Sequence, residues 1–311
     1  MNRTNEVYEE LLTNNISEKK SILAFMNGIL KADGILENDN NTLKIEIVSH
    51  NYRTLFKFNE YFQGIYKDTI SIEYTTTNAA KKVYKGIIEG KTVYKILSDL
   101  KWCEFNKEGK IIKIFPFHNI KYEPEETVAF IQAIFLSQGS IYFPDVDEKQ
   151  GYHLEFLLKD KEVADFVVSI LANYGINGKE IEREDMFSVY LKDSSQISDV
   201  LALLGASDIV FEMNNIIANR TIRNQINRQN NCYIANLDKT INASEAQYFA
   251  IEKIINANQF DKLDKKLKEV AEIRINNKEL SLDEIAAIVG ISKSGINHRF
   301  KKIMDIAEGI D

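Results

Sequence analysis

The sequence is poor in the residues that build stapled or metal-held folds. Its two cysteines, Cys103 and Cys232, stand alone and far apart, which argues against a disulfide framework or a cysteine metal site. The four histidines, His50, His118, His153 and His298, are scattered without ligand spacing, so no structural zinc and no cofactor is expected. Nothing approaches the roughly 18 uninterrupted apolar residues of a membrane helix. The opening run "MNRTNEVYEELLTNN" is polar and acidic, unlike a charged-then-apolar signal segment. A soluble, cytoplasmic protein with no membrane partner is the expectation. A phosphate-cradling GxxxxGK[ST] loop is also missing, so no nucleotide motif supports a nucleotide enzyme.

What is present is enough material for two domains: 311 residues, 44% of them apolar. The net charge of -7 would by itself speak against nucleic acid, but it is unevenly spread. Residues 215–311 hold 15 Lys/Arg against 13 Asp/Glu, whereas residues 1–214 hold 24 against 33. Binding to a polyanion is therefore expected in the last third of the chain.

The first two thirds contain an internal repeat. "FMNGILKADG" (25–34) and "FIQAIFLSQG" (130–139) share Phe first, small residues fourth and eighth, and Gly last. Gly28 with Ala32, and Ala133 with Ser137, are four apart and lie on one face of a helix. Two faces lined by small side chains let backbones approach closely, so the two helices should pack against each other. Gly34 and Gly139 read as helix-ending glycines able to take positive φ. After each helix come alternating strands and further helices. "TLKIEIVSH", "TISIEY" and "KKVYKGII" follow the first, and "GYHLEFLLK", "KEIERE" and "FSVYLK" the second. Each unit reads α-β-β-α-β-β-α, over about 18–115 and 125–205, giving an α+β fold of two mostly antiparallel sheets with helices on one face.

The two strings resemble the LAGLIDADG helices of homing endonucleases, with Met26–Gly34 and Ile131–Gly139 aligned to that nine-residue name. The resemblance implies a pseudo-symmetric homing-endonuclease-like domain over 1–213. In active members of that family an acidic residue at the eighth letter of each motif holds catalytic metal. Here that position is Asp33 in one copy and Gln138 in the other. Carboxylates neutralise and place hard divalent ions, and a neutral amide supplies no charge. Both are therefore degenerate positions with no catalytic role expected. Asp145 and Asp147, in the following loop, are the acids that stand nearest in sequence as substitutes.

Near the C-terminus, "SLDEIAAIVGISKSGINHRFKKIMDIAEG" (281–309) has the spacing of a DNA-binding helix-turn-helix. Ser281 and Glu284 form a capping box, and Ile285, Ala286 and Val289 give the first helix its buried side. Gly290 marks the turn. Ser292 caps a second helix whose stripe is Ile296, Phe300 and Ile303. Lys293, Ser294, Asn297, His298 and Lys301 then point outward, Asn297 as a base reader. Lys293, Arg299, Lys301 and Lys302 are suited to phosphates.

Between these regions, "NNIIANRTIRNQINRQNNCYIANLDKT" (214–240) reads as a basic linker helix carrying Arg220, Arg223 and Arg228. It would follow a DNA backbone or brace the domains, with Ile222, Ile226 and Tyr233 on another side. A helical domain over 241–311 completes the chain. The degenerate motif pair together with "NRQNNCYIANL" and "SKSGINHR" resembles the WhiA family of bacterial regulators, from about Glu18 to Ile306. The resemblance implies a regulator of transcription, bound to double-stranded DNA on the nucleoid and without nuclease activity. It further implies links to sporulation, cell division and chromosome segregation. The acidic N-terminal domain would contact a protein partner, sense a small-molecule ligand in a cleft between the repeat halves, or simply hold the C-terminal domain in place. The competing expectations are a metal-dependent endonuclease retaining Asp33 and a ligand-sensing regulator.

Overall fold

The computed structural model describes residues 3–39, 42–76, 82–117 and 120–310; His118, one of the four histidines, lies outside them. Its contacts divide the chain into two compact units, Met1–Arg220 and Thr221–Asp311.

The first unit opens with α1 (Arg3–Thr13), an element not anticipated from the sequence, which buries Val7, Leu11 and Leu12. The first copy of the repeat follows as α2 (Lys19–Asp33), β1 (Gly34–Asp39), β2 (Thr42–Ser49), α3 (Tyr52–Tyr66), β3 (Ser71–Thr76), β4 (Lys82–Ile88) and α4 (Lys91–Asp99). A hairpin, β5 (Cys103–Phe105) and β6 (Ile111–Ile114), connects it to the second copy. That copy is α5 (Pro124–Gln138), β7 (Gly139–Tyr142), β8 (His153–Leu158), α6 (Lys161–Asn173), β9 (Lys179–Arg183), β10 (Met186–Leu191) and α7 (Ser194–Leu204). Both copies thus run α-β-β-α-β-β-α.

The two four-stranded sheets have equivalent strand orders, β1-β2-β4-β3 and β7-β8-β10-β9, all pairs antiparallel. Alternation sets which face each strand buries. In β2, Leu43, Ile45 and Ile47 are buried while Lys44 and Glu46 are not; in β8, Leu154, Phe156 and Leu158 repeat the pattern. Asn51, Asp160 and Asp193 cap α3, α6 and α7 by accepting bonds from backbone N–H groups one turn in.

α2 and α5 make the tightest helix contact in this unit. A Cβ placed on Gly28 would lie 2.6 Å from Ala133 Cβ and 2.7 Å from the carbonyl oxygen of Phe130. Real carbon atoms do not approach that closely, so glycine here is a condition of the packing. Gly34 and Gly139 require a correction. Neither takes positive φ: they sit at -83° and -85°, extended, and begin β1 and β7 directly. Their missing side chains matter because a Cβ on Gly34 would strike the carbonyl of Leu30, and one on Gly139 the ring of Phe135. The helix passes straight into the strand without a left-handed cap.

The expected linker helix over 214–240 is not a separate element. It lies inside α8 (Ser207–Asn256), which continues through "ASEAQYFAIEKII" because no glycine or proline interrupts it. In the second unit α9 (Lys265–Asn276), α10 (Leu282–Val289) and α11 (Lys293–Glu308) pack with the end of α8 around Ile254, Val270, Ile285, Ile296 and Phe300. A buried charge, not foreseen from the sequence, braces this core. Arg274 is 1% exposed and donates to Gln247 Oε1 (3.1 Å) and to the carbonyls of Lys278 (3.1 Å) and Leu280 (2.6 Å).

Gly28→Ala is expected to destabilise the chain by about 1–3 kcal/mol, the usual cost of overpacking a tight core. Combining it with Ala133→Gly should recover part of the loss, since one of the two clashing atoms is then gone. Denaturant melts of the single and double variants measure both effects.

Candidate nucleic-acid interface

The helix-turn-helix is assembled by local chemistry. Ser281 Oγ accepts from the Glu284 N–H at 3.3 Å, and Glu284 Oε2 accepts from the Ser281 N–H at 2.7 Å. That reciprocal bond to the Ser281 backbone holds the Glu284 carboxyl below its ordinary pKa. Gly290, at φ +73°, ends α10 in the left-handed conformation and sets the turn. Ser292 Oγ then accepts from the Gly295 N–H at 3.2 Å and starts α11.

Ile296, Phe300 and Ile303 are buried, which fixes the rotation of α11 about its axis. Lys293, Ser294, Asn297, His298, Lys301 and Lys302 are exposed in consequence. Ser294 Oγ lies 3.0 Å from Ser292 Oγ. Lys293 Nζ pairs with Asp283 at 2.6 Å, and both side chains are largely in water, where such a pair contributes little. Arg299 has a different occupation from the phosphate contact expected of it. Its guanidinium donates to the Lys266 carbonyl and pairs with Glu269, each at 3.3 Å, tying α11 to α9.

Along α8, Arg223 and Arg228 are exposed, and so are Ile222, Ile226 and Tyr233, which were expected to occupy a distinct side. Arg220 is engaged inside the first unit. It donates to the carbonyls of Asp145 (3.3 Å) and Gln150 (3.1 Å), with its guanidinium 5.4 Å from the Tyr152 ring centre. Asp145 is also held, by Arg3 at 2.7 Å.

The degenerate motif positions meet where α2 and α5 end. Asp33 is 5% exposed, and Gln138 Nε2 donates to its Oδ1 at 2.5 Å. Asp33 Oδ2 and Ser137 Oγ are buried without a hydrogen-bond partner. Burial pushes the Asp33 carboxyl up to about 6; the Gln138 bond, the neighbouring Ser137 hydroxyl, which lies close without completing a well-formed hydrogen bond, and the charges of Lys159 and His50 oppose that rise. Among the described residues no group of three His, Cys, Asp or Glu side chains is placed to hold a metal ion. A single carboxylate already bonded to an amide is a poor fit for a divalent ion, which needs several oxygen ligands.

The solvent-side strand positions carry their own counter-charges. Glu46 on β2 pairs with Lys85 at 2.7 Å, and the equivalent Glu155 on β8 faces His153, Arg183 and Ser188.

Comparison with known proteins gives both halves of the chain a family. The WhiA LAGLIDADG-like domain model matches residues 22–101 and 127–223, and the WhiA C-terminal HTH domain model matches 226–307. The "Probable cell division protein WhiA" of Clostridium tetani is 32% identical over 313 residues, covering 98% of this chain and 95% of its own. Its namesake in Lachnospira eligens is 33% identical over 316 residues, covering 99% and 97%. Among solved structures, full-length WhiA from Thermotoga maritima aligns with a TM-score of 0.60 at 25% identity, over 100% of this chain and 99% of that one.

Asp33 generates a pH dependence. Its folded pKa of about 6 lies above the ordinary 3.8, so the folded chain binds the proton more tightly than the unfolded chain. Stability from this group therefore falls as pH rises through that interval, and the cost is complete above about pH 6. Asp33→Asn removes the titration while leaving an amide that Gln138 can meet by turning its own. The variant should match wild type near the lower end of the interval and be more stable by about 2–3 kcal/mol at neutral pH. Denaturant midpoints measured across the interval check it.

Proposed function

The chain belongs to the WhiA family, and from that premise we propose that it is a sequence-specific DNA-binding regulator of transcription that does not cut DNA. The observation that carries this reading is the rotation of α11. Ile296, Phe300, Ile303 and Ala307 are buried on one side, leaving Ser294, Asn297, His298, Lys301 and Lys302 on the other, with no acid of α11 before Asp305. Asn297, near the start of the helix, offers a donor and an acceptor that match an adenine edge in the major groove. Lys301 and Lys302 lie one turn on, where a recognition helix meets phosphate, and Lys293 can exchange its exposed carboxylate for one.

Within this reading Arg228 and Arg223 follow the DNA backbone, and Ser292 supports the interface as the cap of α11. Arg220 and Arg299 serve as braces, because their guanidinium groups donate to backbone carbonyls of other segments. The organisation is a scaffold over 1–213, a basic segment over 214–240 and a DNA-reading domain over 241–311. Relatives named for cell division support a role in that process. A link to cell division and chromosome segregation is part of this reading, with the protein in the cytoplasm on the nucleoid. The absence of cutting is supported by Gln138, whose amide occupies the place where a second carboxylate would be needed.

A preferred duplex selected from random sequence and titrated by anisotropy tests the interface. Asn297→Ala should cost about 1–3 kcal/mol on the preferred site and leave non-specific binding unchanged. Lys301→Ala should weaken binding to every duplex and reduce the salt slope by about one. Arg299→Ala should lower the melting temperature of the second unit more than it lowers DNA affinity. Unchanged preference in the Asn297 variant would show that α11 does not read bases. Plasmid incubated with magnesium or manganese should stay intact; nicking abolished by Asp33→Asn would establish the nuclease instead.

A further inference from the structure

At Gly28 the packing of α2 against α5 leaves no room for a ligand. A cavity of about 170 Å³ lies between α2 and the connecting segment, lined by Lys31, Leu36, Lys101, Trp102, Ile114 and Phe117 among others. The Lys31 ammonium sits 4.4 Å from the Trp102 ring centre and 4.7 Å from that of Phe117. No carboxylate among the described residues is at ion-pair distance from it. Asp160 and Glu162 act only through space, and burial draws the Lys31 pKa below the ordinary lysine value.

The wall behind the ammonium is fixed. Trp102 Nε1 donates to Asn27 Oδ1 at 2.8 Å, and Asn27 Nδ2 donates to the Tyr122 hydroxyl at 2.7 Å. Asn27 is 1% exposed, so this relay orients the indole from inside the core. At the opposite edge the lining is apolar and open to solvent, with Leu36 and Ile114 exposed. The site therefore has Lys31 set against an aromatic wall, a second lysine, Lys101, in its lining, and an apolar mouth. A half-buried ammonium held only by ring faces lacks the charge that would balance it. An anion with an apolar body supplies that charge and covers the exposed side chains in one step.

We propose that this cavity binds a small monocarboxylate with a single aromatic ring or a branched apolar chain, its carboxylate on Lys31 and its body against Trp102. The volume is below that of drug-sized sites, which limits the ligand to about that size. Most of the lining comes from residues 102–120, a stretch that falls between the two segments matched by the LAGLIDADG-like domain model. The site thus joins Lys31 of α2 to a connector that lies outside the duplicated segments. It does not depend on the DNA-binding reading.

Trp102 is the only tryptophan in the chain, so its emission reports occupancy directly. Full-length protein without DNA is titrated with phenylacetate and with isocaproate, and in parallel with phenylacetamide, acetate and inorganic phosphate. Saturable emission changes are expected for the two apolar acids. Affinity should be about ten-fold weaker for the neutral amide, which lacks the charge-assisted bond, and for acetate, which lacks the body. Lys31→Met keeps the stem and should bind the acid no better than the amide. No saturable change with either apolar acid would overturn the proposal. Equal affinity of wild type for acid and amide would overturn it as well, a comparison that needs no variant to fold. So would phosphate or acetate binding as tightly as phenylacetate, or an acid preference that survives in the Lys31 variant.

Discussion

At Gly28 the backbones of α2 and α5 come so close that a single methyl group would meet both Ala133 Cβ and the Phe130 carbonyl. That contact determines what happens one turn further on. Both helices run straight into the first strands of their sheets, so the residues just before Gly34 and Gly139 are forced side by side in a nearly dry space. Two carboxylates in such a place repel each other and need a cation between them. Asp33 opposite Gln138 needs none, because the amide donates to the acid. The pair holds together without an ion, at the expense of a partly neutralised carboxyl and an unpartnered Oδ2.

The sheets show the same settlement of charge. Glu46 and Glu155 occupy equivalent places on β2 and β8, opposite residues one position after Gly34 and Gly139. Each meets basic side chains of its own sheet, the cations of Lys85 and Lys44 for one, the imidazole of His153 and the Arg183 cation for the other. These basic groups are therefore engaged with acids inside the unit. With 33 acids against 24 bases over residues 1–214, the duplicated unit has little net attraction to offer a polyanion. The second unit differs in arrangement more than in sum. Its excess of positive charge is small, but α11 sorts its residues so that the outward face near its start is free of acids.

How legible this was depended on the range of the interaction. The duplicated frame, the sheet faces and the helix-turn-helix follow from spacing along the chain, and spacing is what a sequence displays. The capping box of Ser281 and Glu284 and the turn at Gly290 are such local facts. Gly34 and Gly139 were misread because a glycine after a helix usually signals positive φ, whereas here it signals a clash with the preceding turn. The roles of Arg274 and Arg299 were not visible at all, and that of Arg220 only as one of two alternatives, following DNA or bracing the domains. Each guanidinium finds partners supplied by other segments, and a basic residue on a polar helix face looks the same whether it meets phosphate or a carbonyl. The length of α8 was hidden for a simpler reason: its charge pattern changes midway, but nothing in it stops a helix.

The first motif carries two stripes, which explains how a constrained helix can also serve a variable neighbour. Gly28 and Ala32, four apart, line the side that α5 covers. Asn27 and Lys31, also four apart, lie one residue round and meet the connector through Trp102, Tyr122 and Phe117. Steric demand on the first stripe is severe at Gly28, where even a methyl group is excluded. On the second it is slight, because a lysine stem and an amide adapt to whatever wall is placed against them. A connector can therefore change in sequence without disturbing the helix pair, provided it finds partners for one amide and one ammonium. In this chain the amide is bonded at its oxygen by Trp102 and at its nitrogen by Tyr122, while the ammonium has only aromatic faces beside it, and that inequality leaves Lys31 short of an anion.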